Sequence, residues 1–441
     1  MYKGISSEKT SPRPEKAGGQ CRSASSRREI SSLFLELERD RAKRVLGPSG
    51  GPASVSYTAT MKASVYLSDL RGLARMATDA TLGVTDLVEA VHRDIARPLG
   101  MPRRGIAGLV YGSVRGMTRL VGGGVDALLA PLAPRLVGRS SWRRREALLA
   151  ALNGVLGDQL EASGNPLAIP MSLKAAVLEE AGGKVVVLAH GLCMNDLQWH
   201  RRGHDHGAAL ARDLGYSPVY LHYNSGLHTS INGRAFADRL ETLVRSWPVP
   251  VEELVIVGHS MGGLISRTAL HYAEATGHEW PRRLRKIVFL GTPHHGAALE
   301  RGGNGVDAIL AALPYTARFA RLGKIRSAGI TDLRYGNLLD EDWEKRDRFE
   351  PARDDRRAVP LPEGVECYAA AATTGKKPGD LNDRLLGDGL VSVSSALGRH
   401  EEAGRSLPIP ESRQWVGHGM NHMDLLSRPE VYDQIRRWLA E

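Results

Sequence analysis

The stretch that decides the fold is Glu253-Leu254-Val255-Ile256-Val257-Gly258-His259-Ser260-Met261-Gly262-Gly263. Its first half is a short apolar, β-branched run, the composition of a buried strand. Its second half is a glycine-rich turn that opens a helical pattern over Leu264 to Glu274, with Ser260 at the bend. Residues 258–262 fit the Gly-x-Ser-x-Gly nucleophile elbow, where a strained turn holds a serine oxygen clear of the backbone at the carboxyl edge of a sheet. Glycines flank the serine because neighbouring side chains would collide. In glycine-rich proteins the same pattern is often only a turn, and the strand before it and helix after it separate the two readings.

Moving toward the amino end, Lys184 to Ala189 is a nearly continuous apolar run that leads into His190-Gly191-Leu192. Such a strand suits a parallel sheet covered on both faces. The loop leaving it is placed to supply one backbone oxyanion donor, Leu192, with the residue after the serine, Met261, supplying the other. His190 and Gly191 are then candidates for the pocket wall. Further strands are read at Pro218 to Tyr223, Lys286 to Leu290, Glu366 to Ala372 and Arg413 to Val416, with a helix over Gly233 to Trp247. Alternating strand and helix predict an α/β fold with a mostly parallel central sheet flanked by helices.

A serine nucleophile on this topology needs an acid and then a histidine later in the chain. Asp380 and Asp383 sit in a solvated-looking Gly/Lys/Asn loop, whereas Asp388 stands in Gly387-Asp388-Gly389-Leu390-Val391, which leads into an apolar segment. Asp388 is the chosen acid. His422 heads a helical turn in Asn421-His422-Met423-Asp424 and is the chosen base, with His418 as the competing choice. His259, His294 and His295 precede the acid and are assigned to the pocket wall. Ser427 and Pro429 supply cap and first-position chemistry for a closing helix. The crowded polar run from Trp199 to His206 reads as a loop near the pocket, with a metal site as the lesser alternative. Serine chemistry needs neither metal nor cofactor, and none is assigned.

The 441 residues, 42% hydrophobic, suffice for a large core and suggest more than one domain. Charge is uneven: residues 1–150 hold 25 Lys and Arg against 13 Asp and Glu, and the rest of the chain is nearly balanced. A basic front end suits an anionic surface, lipid headgroups more than nucleic acid, or simply a solvated tail. Residues 1–60 read as a mostly disordered basic tail, with Met61 as an alternative start. Residues 61–165 read as amphipathic helices, either a layer over the core or a face for lipid or for oligomerisation. There Gly108, Gly112 and Gly116 share one helix face and would admit a close partner. No signal peptide core and no membrane-spanning run is seen, so a cytoplasmic protein, with peripheral membrane contact as an option, is expected. Cys21, Cys193 and Cys367 are too scattered for a disulfide framework. The catalytic unit is expected over 166–296 and 365–441. Residues 297–364 are expected to form a lid or cap insertion whose apolar residues, Val306, Ile309, Leu310, Leu313 and Phe319, would face an acyl chain or cover the core.

Taken together, HG at 190, GHSMGG at 258, GTPHHG at 291, DGLV at 388 and NHMDLL at 421 resemble the α/β-hydrolase lipases and esterases. They resemble especially bacterial lipase-like proteins related to the GPI inositol-deacylase-type α/β domain. The resemblance covers roughly Lys184 to Leu439. It implies that Ser260 attacks a carboxylic ester, His422 moves the proton, Asp388 orients the imidazole and the Leu192 and Met261 amides hold the oxyanion. A lipid-like acyl ester is the implied substrate. The alternatives are an amidase or thioesterase on the same residues, or a catalytically silent lipid-binding or scaffold protein. The helical region at the amino end has no counterpart in simple lipases.

Overall fold

The computed structural model describes residues 69–83, 85, 86, 89, 111–120, 123, 142–176, 180–297, 326–344, 354, 356–377 and 387–441. Residues 62–441 cluster as one unit and 1–61 as another. The tail expected over 1–60 lies outside the described residues, as do Val306 to Phe319 of the insertion and the acids Asp380 and Asp383.

Seven strands build one sheet: β1 (Ser172–Ala175), β2 (Lys184–Ala189), β3 (Ser217–His222), β4 (Glu253–His259), β5 (Leu284–Leu290), β6 (Glu366–Thr373) and β7 (Gln414–His418). Their spatial order is β1-β3-β2-β4-β5-β6-β7. All pair in parallel except β1, which runs antiparallel to β3 at the edge. Val185 to Ala189, Leu254 to Val257 and Ile287 to Leu290 are wholly buried, which is why they read as unbroken apolar runs. The sheet carries the serine at its centre. Ala189 pairs with Gly258 on one side of β4, and Leu290 pairs with His259 on the other. This architecture is the α/β-hydrolase fold that the sequence predicts. Strand β1 is not foreseen by that reading, because four half-exposed residues with a central lysine carry no apolar run.

The principal helices are α1 (Trp142–Ala162), α2 (His206–Leu214), α3 (Thr229–Ser246), α4 (Met261–Thr276), α5 (Ala328–Asp332), α6 (Val393–Ala396) and α7 (Pro429–Ala440). Helix α3 starts four residues earlier than its pattern suggests, since its first amide, Thr229, finds an acceptor far away in the sequence, the Asp332 carboxylate at 2.8 Å. Pro429 is indeed the first residue of α7, but Arg428, not Ser427, is the cap, and it makes no side-chain cap bond.

Helix α1 belongs to the amino-terminal region and is seated on the sheet domain. A Cβ on Gly154 would fall 2.2 Å from Cys193 Sγ, and one on Gly157 would fall 1.9 Å from Asn224 Oδ1. The glycines therefore bring the helix backbone against the loops that follow β2 and β3. Asn153, fully buried, accepts from the Ile169 amide at 2.9 Å and donates to the Leu167 carbonyl at 2.7 Å. The described end of the insertion closes over the same helix: Ser327 donates to the Gly154 carbonyl at 2.6 Å, and Asp158 accepts from the Ala328 amide at 3.0 Å. At Gly112 and Gly116, where close approach is expected, nothing lies within 4 Å of the Cβ position among the described residues. No helix among the described residues is long and apolar enough to cross a membrane.

Asn153→Ala leaves a buried amide and a buried carbonyl without partners, and is expected to lower stability by about 2–4 kcal/mol in urea unfolding. An unchanged midpoint would show that α1 is not part of the cooperative unit.

Candidate active site

Strand β4 ends at His259 and α4 begins at Met261, so one residue must make the whole turn. Ser260 takes φ 54° and ψ −123°, a region in which side chains other than glycine are strained. Its amide donates to the Leu290 carbonyl at 2.8 Å, tying the bend to β5. The neighbouring glycines are forced by contact. A Cβ at Gly262 would sit 2.2 Å from the Ala189 carbonyl oxygen, and one at Gly263 would sit 2.0 Å from Thr292 Oγ1.

Asp388 is 3% exposed, and its Oδ1 accepts from the Leu390 and Val391 amides at 2.9 and 2.8 Å. Its other oxygen, Oδ2, accepts a hydrogen bond from His422 Nδ1 at 2.6 Å. That hydrogen bond fixes the tautomer and leaves His422 Nε2 as an acceptor. Nε2 is buried with no partner, and His422 and Ser260 line the same cavity. Gly291 makes room for the imidazole, since a Cβ there would lie 3.0 Å from His422 Cε1. His418, the competing histidine, ends β7 and does not line this cavity.

The cavity holds about 20 Å³, room for about one water. Its walls are mostly apolar: Leu192, Met194, Pro293, Ala297, Leu333, Leu390, Val391 and Met423, with His259 beside Ser260 and His422. The amides of Leu192 and Met261 have no acceptor among the described residues. Gly191 lies against the serine, where a Cβ would be 3.0 Å from Ser260 Cβ.

His190 does not line the cavity. It stacks on Tyr223 at 4.2 Å, bonds through Nδ1 to the Gly191 carbonyl at 2.9 Å, and is held down to about 3 by burial. Neutral and enclosed, it braces the loop. His259 is wholly buried, held well below its usual range by burial and by His422, and its Nε2 faces the His422 carbonyl at 3.3 Å. His294 and His295 turn away into a second cavity.

The run from Trp199 to His206 supports the His422 turn from below. Buried His206 donates from Nε2 to the Leu425 carbonyl at 2.9 Å, and its Nδ1 accepts from His204 at 2.8 Å. Arg202 pairs with Asp424 at 2.9 Å. No group of three or more His, Cys, Asp or Glu among the described residues could hold a metal ion. The sequence offers no signal for this bracing, because its contacts join residues some 220 positions apart.

Residues 180–359 match the family model of the PGAP1-like alpha/beta domain. No curated protein sequence matches the chain. Among solved structures, the chain is similar to the mature lipase BlEst2 of Bacillus licheniformis, at 19% identity and TM-score 0.42, over 61% of this chain and 98% of that one. A lipase-esterase related protein from Clostridium acetobutylicum matches at 12% identity and TM-score 0.34, over 61% and 98% of the two chains. An esterase of Pyrococcus furiosus matches at 14% identity and TM-score 0.36, over 70% and 95%.

Burial holds His206 down to about 4, against 6.5 when the chain is unfolded. The unfolded state therefore binds the extra proton between those values, and stability falls as pH drops from about 6.5 to about 4. His206→Gln is expected to flatten that fall, by on the order of 3 kcal/mol, in urea titrations across this range. An equally steep fall in the variant would remove His206 as its source.

Proposed function

We propose that this protein is a serine hydrolase that cleaves carboxylic esters of lipid-like acyl groups. The observation that carries this reading is the imidazole of His422, bonded to Asp388 on one side and unpartnered on the other, in a cavity shared with a strained serine. In the proposed cycle His422 Nε2 takes the Ser260 proton while Oγ attacks the acyl carbon, and the charge on the oxygen is met by the Leu192 and Met261 amides. The tetrahedral adduct expels the alcohol, which leaves with the proton from His422, and an acyl-serine ester remains. Water, deprotonated by the same nitrogen, then releases the acid. Each oxyanion donor is worth about 3 kcal/mol in such a step. Asp388 holds the tautomer and balances the imidazolium charge.

The apolar walls support an acyl group over a polar one. Since the cavity holds about one water, the acyl chain enters as those walls part. Several exposed large apolar side chains stand on the amino-terminal helices, among them Leu73, Met117 and Leu120 at 49, 66 and 73%. They support a lipid surface as the place where the ester is met.

A fluorophosphonate is expected to label wild type and spare Ser260→Ala, and unlabelled folded wild type would overturn the reading. Asp388→Asn is expected to lower kcat about 10⁴-fold with little change in KM. Across p-nitrophenyl esters, activity should rise from acetate to octanoate, and activity confined to acetate would end the lipid assignment. In flotation, the protein should rise with vesicles of anionic lipid more than with neutral ones; sedimentation with both would remove the surface.

A further inference from the structure

The second cavity, of about 260 Å³, is separate from the one at Ser260 and is lined by several cationic side chains beside apolar ones. Arg267 of α4, His294, Arg356, Arg357 and Arg405 converge on it from four parts of the chain. Among the described residues the nearby carboxylates, Asp342 and Asp354, are already engaged. Asp354 pairs with Arg356 at 2.8 Å and with Arg405 at 3.2 Å, and Asp342 accepts from the Leu338 and Leu339 amides at 2.9 and 3.0 Å.

Arg267 is the exception. It is 5% exposed, and no carboxylate among the described residues pairs with it. Nη2 donates to the Val359 carbonyl at 2.5 Å and Nη1 to His294 Nδ1 at 3.3 Å, while Nε, also buried, has no acceptor. Because a guanidinium can only donate, His294 Nδ1 accepts and its hydrogen sits on Nε2. That nitrogen too is buried without a partner. Burial, and then Arg356, brings Arg267 down only to about 10, so it stays a cation near neutral pH. An enclosed cation and two orphan donors at one cavity lack one thing, an oxyanion.

We propose that this cavity binds a small phosphoryl-bearing molecule, with its oxyanion against Arg267 and His294 and its organic part toward Val359 and Leu407. Donors arriving from several elements suit a tetrahedral phosphate better than a planar carboxylate, which one guanidinium edge satisfies. Leu338, Pro360 and Pro408 complete the apolar side. The cavity shares no lining residue with the one at Ser260, so the proposal stands whether or not Ser260 is a nucleophile.

The test is calorimetric titration of the full chain at fixed ionic strength with inorganic phosphate, glycerol 3-phosphate, dihexanoyl phosphatidic acid and acetate. The lipid arm uses Ser260→Ala, so that no ester is consumed. Saturable binding of the phosphates and none of acetate is expected, with Arg267→Gln weakening it about tenfold or more. Arg357 is exposed, and Arg357→Gln keeps the test decisive if loss of Arg267 unfolds the protein; a weakening of about threefold is expected. Tighter binding of glycerol 3-phosphate assigns a soluble ester and tighter binding of the phosphatidic acid a lipid headgroup, and either supports the site. Absence of saturable binding in folded wild type, acetate binding as tight as phosphate, or unchanged affinity in folded variants overturns it.

Discussion

The bond from the Ser260 amide to the Leu290 carbonyl is the constraint on which the rest of the site depends. A non-glycine residue at φ 54° would relax if its neighbours allowed it. They do not, because the buried runs of β4 and β5 hold it from one side and the first turn of α4 from the other. The residues after Leu290 continue the work. Gly291 leaves the space that His422 fills, and Thr292 presses on Gly263 at the start of α4. One strand end thus sets where both the hydroxyl and the imidazole can be.

Much of this was legible in the sequence for a simple reason. Parallel strands buried on both faces are continuous apolar runs, and β2, β4, β5 and β6 announced themselves in that way, whereas β3 and the half-buried β7 were read from shorter apolar stretches. That Asp388 and His422 would meet was legible by order along the chain and by turn chemistry, since Gly387 and Gly389, both at positive φ, mark an abrupt loop around Asp388. What stayed hidden was whatever depends on distant partners. The four residues of β1 gain their identity only from β3. His190, His294 and His295 looked alike as histidines near glycines, yet one braces a loop and two face another cavity. No local pattern separates those roles.

Two cavities of contrasting chemistry meet at one peptide bond. Pro293 lines the apolar space beside the serine, and His294, the next residue, lines the cationic one. The separation is sharp because Phe289 and Arg267 grip His294, the ring of the first edge-on at 4.7 Å and the guanidinium of the second at 3.3 Å. Arg267 in turn lies two helical turns beyond Ser260 on α4, so the same helix that opens at one cavity ends its second turn at the other.

Helix α1 also changes where a workable fragment of this protein can begin. Cys193, at φ 58° in the loop that carries Leu192, has Gly154 against its sulfur, and Asn224 of the neighbouring loop donates to the Gly157 carbonyl at 2.9 Å. Cutting the gene near residue 165, where the helical pattern ends, would strip both loops of their backing by removing the buried Ala150, Ala151 and Val155. A truncation meant to isolate the catalytic half must therefore retain Trp142 onward, and a shorter clone that proves insoluble would reflect a missing wall, with the sheet itself intact in sequence.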